Sequence, residues 1–159
     1  RAQGIDGVIF AGFQQSDQLP AYYGLASCLV LPSMSETWGL VVNEAMAAGL
    51  PVLVSHRCGC VPELVRPGWN GYLCDPSDIA GLARSMAVIS SPAADIDAMG
   101  AASRRIVALY TPDTWAQGLG DCIEHTMAWK QGNVEGRAFS WLRPGFRLQK
   151  QDVEPQIRN

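Results

Sequence analysis

The segment CLVLPSMSETWGLVVNEAMAAGLPVLVS, residues 28–55, decides the fold. It opens on a continuous apolar run, CLVL (28–31), halted by Pro32 and Ser33. A loop containing Ser, Thr and Glu follows, and then a helical pattern over residues 40–48. Gly49 and Pro51 supply the stop signals usual at a helix end. A second apolar run, VLVS (52–55), completes the segment. Strands that are apolar on both faces and joined by a helix read as neighbours in a parallel sheet. The fold expected is therefore α/β, a Rossmann-like parallel sheet with helices on both faces.

The same alternation extends outward. VIFAG (8–12) reads as a strand ending at a glycine, and LPAYYGLA (19–26) as a helix with Ser16 and Asp17 available as caps. GYLC (71–74) is a further short strand, and DPSD (75–78) caps a helix running to about residue 89. Two more helices are expected at about 95–109 and 112–129. WNG (69–71) reads as a turn in which Asn70 and Gly71 supply left-handed conformations. Hairpin turn signals are missing, which argues against an all-β protein. From residue 131 the pattern fails, so 131–159 is expected to be an extended or disordered tail after a domain spanning 1–130. Trp115, Trp129 and Trp141 read as packing or inter-domain contacts. Only about four strands are visible and the chain starts at Arg1, not Met, so the early strands of a larger sheet are expected to precede it.

Composition narrows the function classes. A net charge of −3 lacks the basic stripe of a nucleic-acid binder. No apolar run reaches the roughly 18 residues of a membrane span, and no signal peptide is visible. The five cysteines, Cys28, Cys58, Cys60, Cys74 and Cys122, form no CxxC pair, and Cys58 and Cys60 are too close in sequence for a usual zinc spacing. A reduced, cytoplasmic setting is expected.

Two glutamates interrupt the decisive segment. A lone Glu in a helix is most often solvated, and one just before a helix most often complements its dipole. The neighbours of Glu44, however, are Val41, Val42, Ala45, Met46, Ala47 and Ala48, which leave it little polar face and a need for a partner. Ligands of such sheets lie beyond the carboxyl ends of the strands, where helix N-termini offer unpaired N–H groups. The helix start near Trp38 or Gly39 would turn the amides of Gly39, Leu40 and Val41 outward, a setting that favours phosphate. Gly39 would let a ligand approach the backbone. Glu44 lies about 6 Å along the axis from Leu40 at 1.5 Å per residue, suited to a sugar diol attached to that phosphate. Glu36 would meet whatever hangs from the other end.

The blocks FAGF (10–13), LPAYY (19–23), CLVLPS (28–33), ETWGL (36–40), EAMAAGLPV (44–52) and NG (70–71) occur in the order found in one family. Together they resemble the C-terminal, donor-binding domain of glycosyltransferase family 4, the group 1 glycosyltransferases of GT-B type. The resemblance covers roughly residues 5–90 and continues more weakly to about 130, with Glu36 and Glu44 forming the E-x7-E signature. It implies a retaining transferase that moves a hexose or related sugar from a nucleotide diphosphate to an acceptor, in glycan, polysaccharide or glycolipid synthesis. It implies that amides around Trp38, Gly39 and Leu40 bind the diphosphate, that Glu44 holds the ribose, and that Glu36, the catalytic candidate, contacts the donor sugar. Gly12 and Phe13 would flank the base. The resemblance implies no metal and no cofactor beyond the donor substrate.

Basic diphosphate contacts and the acceptor pocket of the family would precede Arg1, so the chain by itself is expected to be inactive. A carbohydrate or lipid-linked acceptor, and any peripheral attachment at the inner membrane surface, would be met by that N-terminal domain. His56 and Arg57 fall near the cleft but are not assigned the diphosphate role. Two other readings stay open: an inactive, transferase-like scaffold, and a GT-B-type nucleotide-sugar epimerase.

Overall fold

The computed structural model describes residues 6–130. The chain forms two compact units, one reaching Arg104 and one starting at Arg105. The first carries α1 (Leu19–Leu25), β1 (Leu29–Leu31), α2 (Leu40–Ala47), β2 (Val52–Ser55), α3 (Val61–Leu64), β3 (Gly71–Cys74), α4 (Ile79–Ile89) and most of α5 (Ile96–Val107). The second contains α6 (Pro112–Lys130). The expected tail over 131–159, including Trp141, lies outside the described residues. No described helix is long and apolar enough to cross a membrane.

The strands form one parallel sheet in the order β1-β2-β3. Leu29 pairs with Val52 and Leu31 with Val54, while Val52 also pairs with Gly71 and Ser55 with Cys74. Both connections are helical crossovers, as parallel neighbours require. All four residues of β2 are buried, the condition of a central strand covered on both faces. Val42, Ala45 and Met46 of α2 are fully buried, and that helix packs on β1 and β2. Their i, i+3, i+4 spacing makes one stripe.

Several expectations need correction. VIFAG forms no strand: Ile9 and Phe10 are 89% and 90% exposed. An apolar run becomes a strand only when a neighbouring strand takes its backbone groups, and among the described residues no strand pairs with this run. The cap of α1 is Gln18, without a side-chain bond to the helix amides, in place of Ser16 or Asp17. Asn70 lies in a turn, as expected, but its side chain faces inward. Its buried side chain donates from Nδ2 to the Leu64 carbonyl at 3.0 Å, and its Oδ1 accepts from the Arg66 amide at 2.7 Å. The positive φ of that loop belongs to Gly68. By contrast, Asp78 caps α4 as expected, its carboxylate accepting the Gly81 N–H at 2.8 Å. Gly49 ends α2 at φ +83°, and Arg104 of α5 donates to the adjoining Ala48 carbonyl at 3.0 Å.

The sheet pattern continues past the strands as a backbone clasp. Glu36 and Cys58 form an isolated parallel bridge. The Gly59 amide donates to the Glu36 carbonyl at 3.0 Å, and the Cys60 amide to the Trp38 carbonyl at 3.1 Å. The loop after β2 thereby fixes the loop before α2. Gly59 makes this approach feasible, because a Cβ there would run into the Thr37 carbonyl.

Gly59→Ala should therefore destabilise the protein by about 1–3 kcal/mol, the usual cost of overpacking, seen as a lower urea midpoint at unchanged slope. Asn70→Ala should cost about as much, because it strands the buried Leu64 carbonyl and removes the partner of the part-buried Arg66 amide. An unchanged midpoint in either variant would contradict the contacts described.

Candidate functional site

The clasp and α2 bring Glu36, Trp38 and Gly39 together at the carboxyl end of the sheet. Gly39 is the N-cap, in the left-handed region at φ 98°, where a side chain is strained. A Cβ there would also sit 3.4 Å from both Glu36 Cγ and Leu31 Cδ2. The left-handed turn is thus a reason for glycine beside the ligand approach expected from the sequence. The residue is buried, and its left-handed turn is what favours glycine. Past it the chain enters α2, where the first N–H groups lack intrahelical partners. The Val42 amide turns back to the Gly39 carbonyl at 2.9 Å; those of Leu40 and Val41 head the helix.

Trp38 has both of its donors engaged. Its amide reaches Glu36 Oε1 at 3.3 Å, and its indole N–H donates to Asn43 Oδ1 at 2.9 Å. Glu36 is half-buried, so its carboxylate is confined by the loop's own amide. The thiols of Cys58 and Cys60 lie in the same region. Burial, with smaller contributions from the Glu36 charge and a neighbouring cysteine, pushes Cys58 up and Cys60 up to about 11. Both stay protonated at neutral pH and behave as small apolar groups. All five cysteines are free.

Glu44 is exposed, which corrects the expectation of a carboxylate on a mostly buried helix. Val41, Ala47 and Ala48 are exposed alongside it, so α2 is a half-covered helix with Glu44 on its open side. Its Oε2 accepts the Tyr23 hydroxyl of α1 at 2.7 Å. Burial first, then this bond and the carboxylate's charge, push the Tyr23 phenol up to about 12. The residue string had placed Tyr23 on a helix without giving it a role, and no local signal pairs it with Glu44 twenty-one residues on.

Gly12 and Phe13 are not brought into this group by any hydrogen bond among the described residues. Both are exposed, Phe13 by 87%, and Gly12 adopts φ 69°. Leu40 is 68% exposed at the head of α2. Arg57, after β2, donates to Ser77 Oγ at 3.2 Å and lies 3.8 Å from Asp75. His56 Nδ1 sits 3.0 Å from the Cys74 carbonyl. Among the described residues no three His, Cys, Asp or Glu side chains group as a metal site would.

A helix start with open amides, one confined carboxylate before it and one exposed carboxylate a turn beyond can receive an anion together with hydroxyl donors. Comparisons with known proteins bear on what that arrangement serves. The family model for glycosyl transferases group 1 matches residues 1–105. The D-inositol 3-phosphate glycosyltransferase of Mycolicibacterium vanbaalenii is 37% identical over 89% of this chain and 32% of its own length. The glycogen synthase of Mycobacterium tuberculosis is 40% identical over 67% of this chain and 26% of its own. The sulfoquinovosyl transferase of Arabidopsis thaliana is 43% identical over 45% of this chain and 14% of its own. Among solved structures, sucrose-phosphate synthase from Thermosynechococcus elongatus superposes with a TM-score of 0.66 at 32% identity, covering 76% of this chain and 30% of that one. The chain thus spans about a third or less of the length of these relatives. It is a group 1 glycosyltransferase chain of the GT-B type.

Proposed function

We propose that this chain supplies the donor-binding part of a retaining transferase that moves a sugar from a nucleoside diphosphate to an acceptor. The observation that carries the reading is the head of α2, with Glu36 confined before it and Glu44 outward on the following turn. In this reading the diphosphate sits at the helix start, on the amides of Gly39 and Leu40. Trp38 joins them only by releasing the long bond its amide makes to Glu36. The ribose diol reaches Glu44, and Glu36 takes hydroxyls of the donor sugar. Phe13, open to solvent beside Gly12, offers an apolar face to the base.

During transfer the bond from the sugar's anomeric carbon to the diphosphate breaks, and its electron pair stays on the departing oxygen. The acceptor oxygen bonds to that carbon on the same face and gives up its proton to the leaving group. Negative charge grows on the diphosphate, where the helix start stabilises it. Metal is not needed for this reading. The acceptor, carbohydrate or lipid-linked, would be held by parts of the enzyme outside this chain, as would any contact with a membrane surface. The chain alone is therefore expected to bind donor weakly and to transfer nothing at a useful rate.

Titration of the full-length protein with UDP, GDP and ADP, followed by tryptophan fluorescence, tests the reading; failure of all three to bind would sink it. Glu44→Gln should weaken the favoured nucleotide by about tenfold or more, as expected on losing hydrogen bonds to a charged group. Glu36→Ala should leave nucleoside diphosphate affinity unchanged while lowering kcat/KM for the complete donor, since its partner is the sugar. Product analysis should show sugar on the acceptor. Isomerised donor without transfer would identify an epimerase.

A further inference from the structure

We infer that Tyr23 is a positioning residue for nucleotide recognition, setting the Glu44 carboxylate so that a ribose diol finds it already oriented. This rests on the donor-binding reading above. Glu44 is exposed, and an exposed glutamate samples many rotamers that a ligand would have to freeze. The Tyr23 hydroxyl, only 2.7 Å from Oε2, holds it from a separate helix. That hydroxyl has one proton to give, so Oε1 and the second lone pair of Oε2 stay open to accept two hydroxyls.

The placement of Tyr23 supports this role. It comes from the neighbouring element α1, and it is half-buried there while its neighbours Tyr22 and Gly24 are exposed. Tyr22, one position earlier and turned about 100° around the helix, is 46% exposed and no hydrogen bond joins it to Glu44. The phenol is raised to about 12, so it remains a donor across the range in which an enzyme works. A donor that never ionises also never repels the carboxylate it holds.

The test compares UDP, GDP and ADP with their 2′,3′-dideoxy analogues on the full-length protein. Wild type should bind the favoured ribonucleotide about tenfold more tightly than its dideoxy form. Tyr23→Phe should lose most of that preference, weakening the ribonucleotide while leaving the dideoxy form unmoved. Tyr22→Phe, the matched control, should change neither. Tyr23→Phe combined with Glu44→Gln should be no weaker than Glu44→Gln alone, because both act through one contact. In turnover, Tyr23→Phe should raise the donor KM with kcat within about twofold.

Full discrimination by Tyr23→Phe, equal losses for both nucleotide forms, or additive losses in the double variant would each overturn the inference. Wild type binding no nucleotide at all would instead overturn the donor-binding reading, and this inference with it. Wild type binding both forms equally would remove Glu44 as the ribose contact and leave Tyr23 nothing to position.

Discussion

The structure depends on two backbone hydrogen bonds that lie outside any strand. The amides of Gly59 and Cys60, just past β2, reach the carbonyls of Glu36 and Trp38, just before α2. They continue the parallel pairing of β1 and β2 beyond the point where the strands themselves end. Without them the loop after β1 would be a free connection, and the start of α2 would have no fixed place. With them the chain must turn sharply at Gly39, which it does in the left-handed region. The confinement of Glu36, the engagement of Trp38 and the outward stance of Glu44 all follow from where that turn is set.

Much of this was legible in the residues, and the reason differs from element to element. β2 was visible because a strand buried on both faces must be apolar throughout, and VLVS is apolar until its final serine. The helix that follows β3, α4, was visible because Asp78 is a good cap in a short polar stretch. The run VIFAG misled for a physical reason. Composition shows that a segment suits a strand, whereas pairing depends on a partner elsewhere in the chain. Asn70 was legible only in part: an asparagine before glycine marks a turn and a turn is there, but its side chain is spent inside, satisfying two backbone groups.

At the candidate site, the two glutamates and the helix start could be read locally, because cap, spacing and dipole are all properties of one short segment. The function of Gly39 could not. Its left-handed φ and its closeness to Leu31 belong to the folded turn and not to the residue string. Tyr23 lay further out of reach still, since it meets Glu44 across two elements rather than along one. Family resemblance helped where local physics was ambiguous, by turning two carboxylates of uncertain purpose into a signature with an order around it. Membership in the group 1 glycosyltransferases then rests on the whole of residues 1–105, not on either glutamate.

The clasp also has a kinetic meaning. Its amides and carbonyls belong to loops separated by the whole of α2 and β2, so no short excursion of the chain can bring them together. Parallel pairings of this kind demand that a crossover close before any contact repays the lost entropy. The geometry at the head of α2 therefore depends on the same long-range closure that pairs β1 with β2. A chain in which β1 and β2 had not paired would lack the place where Glu36 sits.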